Sequence, residues 1–271
     1  MHRWIAAFVM MVTTAVGASA QILYIPAAAN AEGINETRWR TDLELKAEGG
    51  EAATFTVELL ESGQNNGDPL SLDGTVGPEQ CVRLANVLET GFAFTGTGAL
   101  RITVTNGRIL ATSRTFNDDP NGTYGQTVPV VAENEATSFD SHVTLIQLSR
   151  SSDPAAGFRT NIGAVNVVDQ LIEVEIELFL ADGTSLGTVS RDLKPFEYSQ
   201  VNDVFDKVGA DDVGDGYAVV RTTTDAGRFI AYASVVDNRS GDAVFLLGAP
   251  DDSTGPPQDR LVVFEGFMRP G

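Results

Sequence analysis

Two acidic loops carry the side chains best suited to holding a cation. One reads NDDPNGT over 117–123 and contains Asp118 and Asp119; the other reads DNRSGD over 237–242 and contains Asp237 and Asp242. Calcium takes about six to eight oxygen ligands, usually from closely spaced Asp, Asn and backbone carbonyl groups. However, neither loop has the spacing of an EF-hand, and Asp, Asn, Pro and Gly are also the residues that build tight turns. The sequence therefore favours polar turns and leaves calcium as the alternative.

A nucleophilic site has little support. Cys81 is the only cysteine, so no intramolecular disulfide forms, and His142 is the only histidine after residue 20. A cysteine nucleophile needs a neighbouring base, and neither residue stands in a recognisable catalytic motif. No nucleophile elbow, zinc-binding H-E-x-x-H or phosphate loop occurs. We therefore assign no catalytic residue and no cofactor from the sequence, with calcium as the one exception left open.

Carboxylate chemistry and sugar binding remain as alternatives. A glycosidase needs two facing acids, but a chain with 37 acids brings some pair close by chance, so a hydrolase is only the third choice. Sugar-binding sites usually present a flat aromatic ring. Strand alternation places Trp39 on one face with Thr41 and Leu43, which predicts a core position, and the five tyrosines form no obvious strip. A carbohydrate-binding module, with or without calcium, is therefore the second choice.

The most specific pattern is an internal repeat built around R-T-[D/N]. The stretch RWRTDLEL at 38–45 matches GFRTNIGAV at 157–165. Arg40 and Asp42 alternate onto one face of a strand, as do Arg159 and Asn161. An arginine there can hold a carboxylate or carbonyl through its planar fork. Because both copies keep the motif while their loops diverge, we interpret these four residues as a structural clamp that ties a neighbouring loop.

The repeat continues through the chain and defines its organisation. VGPEQCVRLANVL pairs with LKPFEYSQVNDVF, GTGALRITV with GDGYAVVRT, and GRILATSRTFND with GRFIAYASVVDN. These stretches alternate apolar and polar residues with period two and are rich in β-formers, with turn signals between them. About seven strands per copy are typical of a β-sandwich. We predict an all-β chain of two tandem antiparallel β-sandwich domains, immunoglobulin-like or jelly-roll, at 21–136 and 137–250.

The two ends of the chain lie outside the repeat and have compositions of their own. Residues 1–20 combine a basic start, a short apolar stretch and a small-residue ASA site, which predicts a secretory signal peptide. No later stretch is long and apolar enough to span a bilayer. At the other end, 251–271 is a Pro/Gly/Asp-rich linker followed by one more strand at 259–267. An isolated apolar strand has to join a sheet edge, in this chain or in a neighbouring copy.

The charge of the chain limits its partners. The formal net charge is −19, which argues against nucleic acid and against anionic membrane surfaces. It permits divalent cations or basic partners. The acids are dispersed along the chain, so most of them are expected on the solvated surface.

Several stretches together resemble a known group of proteins. YIPAAANAEG, WRTDLEL, TGTGALRITV, FRTNIGAVN, FEYSQVNDVF and AYASVVDNRSGD are similar to exported bacterial proteins of uncharacterised activity with paired β-sandwich domains. The resemblance covers nearly the whole chain after residue 20. It implies a secreted or cell-surface bacterial protein and transfers no catalytic residue.

The first functional hypothesis is therefore a secreted or cell-surface structural or interaction module that is not an enzyme. It would join an extracellular assembly by self-association or protein binding, through its sheet edges or its C-terminal strand. Binding of a surface glycan is the alternative, and a carboxylate-dependent hydrolase is the third.

Overall fold

The structure, a computed structural model, describes residues 20–33, 37–119 and 122–250. Strands account for 63% of the described residues and helices for 5%, which confirms the predicted all-β class. Apart from its last residue, the predicted signal peptide lies outside the described residues, and so does the predicted tail with its strand. Within the described part of the chain, no helix is long and apolar enough to cross a membrane.

The strands of the first sandwich are β1 (Gln21–Glu32), β2 (Arg38–Ala47), β3 (Ala53–Glu61), β4 (Leu70–Val76), β5 (Cys81–Leu84), β6 (Gly96–Asn106), β7 (Ile109–Asp119), β8 (Gly122–Val128) and β9 (Val131–Ala132), with one helix, α1 (Val87–Phe92). Those that follow are β10 (Thr137–Ser138), β11 (His142–Arg150), β12 (Phe158–Asn166), β13 (Ile172–Leu180), β14 (Ser185–Leu193), β15 (Tyr198–Val201), β16 (Val213–Thr222), β17 (Arg228–Asp237), β18 (Ala243–Leu247) and β19 (Ala249–Pro250). Short 3-10 turns cover 133–135 and 206–208.

One set of strand pairings occurs twice, and every pair is antiparallel. In the first sandwich β1 also pairs with β2, which joins its strands into one nine-stranded sheet, whereas the strands after residue 136 form two five-stranded sheets. In the first sandwich β1 pairs with β6 and β9, β2 with β5 and β7, β3 with β4 and β6, and β7 with β8. In the second, β11 pairs with β16 and β19, β12 with β15 and β17, β13 with β14 and β16, and β17 with β18. Two tandem antiparallel sandwiches are therefore present, as predicted. The boundary proposed at 136 falls between β9, which pairs with β1, and β10, which pairs with β17.

One sheet of the second sandwich is covered on both faces. Its inner face contributes side chains such as Ile162 and Ala233 to the second core. Its outer face places Val165, Ile230 and Tyr232 in the core of the first sandwich. Consequently β17 is buried at every position from 229 to 236, where the sequence predicted alternation. A strand buried on both faces reads as a continuous apolar run.

Polar contacts hold the two sandwiches together. The buried side chain of Asn66 donates from Nδ2 to the carbonyl of Phe196 at 3.0 Å, and its backbone N–H donates to the carbonyl of Pro195 at 2.9 Å. Glu197 accepts the backbone N–H of Gly63 at 2.7 Å. The guanidinium of Arg101 lies 4.5 Å from the centre of the Phe196 ring. Buried polar groups of the two sandwiches are therefore satisfied by one another across this junction.

Candidate functional site: a cleft between the sandwiches

A cavity of about 460 Å³ lies at the junction, with walls from both sandwiches. Strands β1, β2, β6, β7 and β8 provide one side, and β11, β12, β15 and β17 with their loops provide the other. Small-molecule sites usually occupy cavities of roughly 300–1,000 Å³, often between domains. This cleft is therefore the candidate functional site.

Small residues on β1 leave space for the cavity. Ala27, Ala28, Ala29 and Ala31 line it, and the pairing of β1 with β6 shifts register at the start of this segment, between residues 25 and 28. Such an irregularity bends a strand and redirects its side chains. The side chains there end at Cβ, so the irregular segment of β1 forms a shallow apolar wall.

Trp39 faces this cavity and is only partly buried. The prediction that it belongs to the core was wrong. Alternation does place it on the same side of β2 as Leu43, which is fully buried, but Trp39 lies beyond the end of the core, next to Ala31 on the neighbouring strand. Its repeat counterpart Phe158 is 45% exposed and does not line the cavity. The indole therefore presents an apolar ring at the mouth of the first sandwich.

The inward face of β7 changes from apolar to polar as the strand approaches the cleft. It begins with Ile109 and continues through the buried Ser113 and Thr115. The corresponding positions of β17 in the second sandwich are the buried Ala233 and Val235. Because the same fold accepts apolar residues there, the polar residues of the first sandwich are not demanded by the architecture.

These buried polar groups are hydrogen-bonded to one another and to the second sandwich. The hydroxyls of Thr115 and Thr41 lie 2.8 Å apart, and the Thr41 hydroxyl oxygen accepts the backbone N–H of Ala29 at 2.8 Å. Ser234 on β17 donates from its hydroxyl to Oε1 of Gln126 on β8 at 3.1 Å. This last bond joins the two walls of the cleft.

The second wall carries a tyrosine and amide network. Tyr232 donates to Oε1 of Gln200 at 2.7 Å, and the hydroxyls of Tyr198 and Tyr232 lie 3.1 Å apart. Nε2 of Gln200 donates to Oδ1 of Asn202 at 2.7 Å. Burial raises the pKa of both Tyr198 and Tyr232, so both hydroxyls stay protonated at neutral pH. Tyr198, Gln200 and Asn202 line the cavity, where the network holds their side chains in place.

Two arginines line the second wall, and their surroundings differ. Arg150 bonds Asp203 and Asp206, each at 2.9 Å, and donates to the carbonyl of Ala210 at 2.6 Å. Within the described residues, Arg159 has no ion pair and makes one hydrogen bond, from Nη1 to Oδ1 of Asn238 at 3.0 Å. Burial lowers the pKa of Arg159. Arg150 is thus held by hydrogen bonds and ion pairs within the chain, whereas Arg159 has N–H donors beside the cavity that no described residue accepts.

The residues predicted to form a clamp lie in two kinds of environment. Arg40 pairs with Asp118 at 3.3 Å on the exposed surface, whereas its counterpart Arg159 lines the cleft. Asp42 accepts the backbone N–H of Asn86 at 2.8 Å, and it also pairs with Arg83.

Asn161 occupies the position of Asp42 in the second copy, and its Oδ1 accepts the backbone N–H of Asp203 at 3.0 Å. Asn86 and Asp203 both have positive φ angles, of 44° and 46°. The clamp is still a prediction, and these contacts give it a specific target, a left-handed turn in each sandwich.

The repeat motif contains a buried residue that the sequence interpretation passed over. The central threonine of each copy, Thr41 or Thr160, has no exposed surface. The Thr160 hydroxyl donates to the carbonyl of Ser149 at 2.7 Å and accepts the N–H of the same residue at 3.1 Å. The identity of this threonine in both copies was the signal that could have revealed its role.

The acidic loops are occupied by turn contacts. The carboxylate of Asp237 accepts the backbone N–H groups of Arg239 and Ser240 at 2.7 and 2.8 Å, and these bonds lower its pKa. Asp242 accepts the N–H of Ala243 at 3.1 Å, and Asp119 ends β7. In the ranges that the structure describes, no group of three or more His, Cys, Asp or Glu is placed to hold a metal. The calcium interpretation thus gains no support and stays a prediction.

Cys81 and His142 lie in different sandwiches. Cys81 is exposed on β5, and His142 begins β11. The structure does not bring them together as a nucleophile and base.

No family model and no curated protein matches the sequence. Among solved structures, the chain is similar to Bacteroides uniformis beta-glucuronidase 2 covalently bound to cyclophellitol-6-carboxylate aziridine, with 13% identity and a TM-score of 0.15. The match covers 77% of this chain and 24% of that chain. A likeness at this TM-score carries no argument about function.

Proposed function

We propose that this chain is an extracellular, non-catalytic binding module that holds a carbohydrate in the cleft between its two sandwiches. The observation that carries the proposal is the partly exposed indole of Trp39 in a cavity that also contains hydroxyl and amide side chains from both sandwiches. The cavity thus combines an apolar ring with fixed polar groups.

That combination suits a sugar. A pyranose ring has apolar faces that pack on an aromatic ring, and a rim of hydroxyls that need hydrogen-bond partners. The cleft offers the ring of Trp39 and the amide and hydroxyl groups of Gln126, Asn161, Gln200 and Ser234. Binding sites of this type are mostly apolar, with a few polar groups that fix the orientation of the ligand.

The arrangement of acids favours binding over hydrolysis. A glycosidase uses two carboxyl groups that flank the bond to be broken. Glu32 and Asp203 are the only acids among the described residues that line the cavity, and Asp203 is paired with Arg150 at 2.9 Å. The Asp203 carboxylate is thereby engaged by a guanidinium, so the described lining of the cavity does not present two unpaired carboxyl groups.

The extracellular location belongs to the same proposal and rests on the signal-like segment 1–20 and on the resemblance to exported bacterial proteins. An assembly role for the sheet edges and the C-terminal strand is compatible with it, because Trp39 lies on β2, a strand that is paired on both sides and is not a sheet edge. Self-association of the full chain that is lost on deleting 259–271 would support that role, and a monomer indifferent to the deletion would contradict it.

The proposal is tested by screening an oligosaccharide array and measuring the bound sugars by calorimetry. Trp39→Ala is expected to weaken binding by about tenfold or more, since loss of one aromatic contact costs on the order of 1–2 kcal/mol. Phe158→Ala is the matched control, because Phe158 holds the corresponding repeat position outside the cavity. Binding that Trp39→Ala leaves unchanged would place the sugar elsewhere and contradict the proposal.

A further inference from the structure

Arg159 supplies an incompletely neutralised positive charge at the cleft. It is half-buried on β12 and lines the cavity. A guanidinium has five N–H donors. Among the described residues, one atom accepts a hydrogen bond from Arg159, and it is the neutral Oδ1 of Asn238. A buried charge normally has a partner of opposite charge, because removing it from water is costly.

The two acids whose charges act on Arg159 already have other partners. Asp203 is paired with Arg150 through Oδ1 at 2.9 Å. Asp237 accepts two backbone N–H groups of its own turn, at 2.7 and 2.8 Å. Both carboxylates exert an electrostatic effect on Arg159, but neither forms an ion pair with it. The chain thus provides long-range compensation and leaves the donors of the guanidinium available.

The internal repeat shows that this arrangement is not a requirement of the motif. Arg40 occupies the same place in the R-T-[D/N] motif of the first sandwich, and it is paired with Asp118 at 3.3 Å. Two residues after the strand partner of the arginine, which is Phe116 in the first copy and Val236 in the second, the second copy has the neutral Asn238 where the first has Asp118. Because the second copy has Asn at this repeat position instead of Asp, Arg159 lacks the ion pair that Arg40 forms there.

We infer that the ligand of the cleft carries an anionic oxygen group, a carboxylate or a sulfate, that pairs with Arg159. The planar guanidinium forms paired hydrogen bonds with such groups. This inference rests on the proposed carbohydrate-binding function and narrows its ligand class to acidic saccharides.

The negative charge of the whole chain does not oppose this assignment at short range. The formal net charge is −19, which slows the approach of an anion at low ionic strength. At about 0.1 M salt, charges are screened beyond roughly 10 Å. A contact inside the cleft is then governed by Arg159 and its immediate neighbours, and it selects acidic saccharides by direct pairing.

The test compares matched oligosaccharides with the full chain. The probes are uronate-containing disaccharides, their methyl esters, the corresponding neutral disaccharides, and sulfated forms of the neutral ones. Binding is measured by calorimetry at low and at moderate salt. We expect an acidic form to bind at least about tenfold more tightly than its ester or neutral form, with the advantage shrinking as salt is added. The uronate and sulfate arms distinguish the two anionic groups.

Three variants assign the effect to Arg159. Arg159→Gln is expected to remove the preference for acidic probes, and Arg159→Lys to retain part of it, since lysine keeps the charge without the planar fork. Arg40→Gln, the matched variant in the first sandwich, is expected to leave the preference intact. If Arg159→Gln fails to fold, Arg159→Lys still tests the pairing, and equal binding of acidic and neutral probes by the unaltered chain still overturns the inference.

The outcomes separate the inference from the function on which it rests. Equal binding of acidic and neutral sugars, sensitive to Trp39→Ala, would overturn the inference and leave the carbohydrate-binding function standing. A preference for acidic probes that survives Arg159→Gln would also overturn it. Absence of binding to every probe would contradict the inference and the proposed function together.

Discussion

The side-chain Oδ1 of Asp42 accepts the backbone N–H of Asn86 at 2.8 Å, and this bond joins the central strand β2 to a left-handed turn before α1. Asn161 and Asp203 repeat the bond at 3.0 Å in the second sandwich. A positive φ at a residue other than glycine needs support from its surroundings. The shared [D/N] position provides that support in both sandwiches.

The clamp interpretation predicts an asymmetry within the repeat motif. Asp42→Ala removes the acceptor for the Asn86 N–H and is expected to lower the free energy of unfolding by about 1–3 kcal/mol. Arg40→Gln removes only an exposed ion pair and is expected to cost less than about 1 kcal/mol. Urea unfolding of both variants compares the two costs. Equal, small costs would show that Asp42 does not support the turn.

The buried threonines of the repeat motif are also expected to stabilise the fold through their hydrogen bonds. Thr41→Val keeps the shape of the side chain but leaves the N–H of Ala29 without its acceptor, and Thr160→Val does the same to Ser149. We expect each variant to lose about 1–3 kcal/mol of stability, measured by thermal and urea unfolding. Ser113→Ala, whose hydroxyl donates to the carbonyl of Val128 at 3.1 Å, serves as a milder comparison, because that carbonyl also belongs to the strand ladder. A Thr41→Val variant as stable as the parent chain would contradict the assignment.

Stability is expected to fall in alkaline solution. Burial raises the pKa of Tyr24 to about 12, while a tyrosine in the unfolded chain has a pKa of about 10. Between these values the unfolded chain releases the proton that the folded chain still holds, so stability is fully present below pH ~10 and declines towards pH ~12. Each unit of separation corresponds to about 1.4 kcal/mol.

Urea unfolding as a function of pH measures this decline directly. Tyr198 and Tyr232 shift in the same direction and are expected to add to it. Tyr24→Phe should make the decline shallower, because it removes one of the titrating groups. A parent chain whose stability is unchanged from pH ~9 to pH ~11.5 would show that these hydroxyls do not titrate abnormally.

Calcium is expected to have no effect on stability. Asp118 is paired with Arg40, and the carboxylates of Asp237 and Asp242 accept backbone N–H groups of their own loop. A ligand that binds only the folded state raises the melting temperature, so calorimetry with calcium and with a chelator tests the point. A rise in melting temperature that Asp118→Asn or Asp237→Asn abolishes would establish a calcium site after all.

The sequence was sufficient for the architecture and insufficient for the cleft. Period-two alternation and the internal repeat predicted two sandwiches, because the two faces of a strand are visible as alternating apolar and polar residues in the sequence. The burial of Ile230 and Tyr232 against the first sandwich depends on how the two sandwiches pack together, and the periodicity of a single strand does not predict that packing. Trp39 was misplaced for the same reason, since alternation gives the face of a strand and not where the core ends.

Some of the site could have been read from the repeat itself. Ser113 and Thr115 stand where the second copy has Ala233 and Val235, and this exchange to polar residues could have drawn attention to β7, the strand that carries Thr115 to the cavity. Arg159 could not be distinguished from Arg40 by its motif. Only their neighbours differ, Asn238 against Asp118, and those neighbours come together through strand pairing.

The most direct measurement of the central claim uses Trp39 as its own reporter. The chain has two tryptophans, Trp4 and Trp39, so in a Trp4→Phe background all tryptophan emission comes from the cleft. Titration with an oligosaccharide found on the array should change the intensity or wavelength of that emission, with the same dissociation constant as calorimetry gives. Calorimetric binding with no change in emission would show that the sugar does not contact Trp39 and would contradict a binding site between the sandwiches.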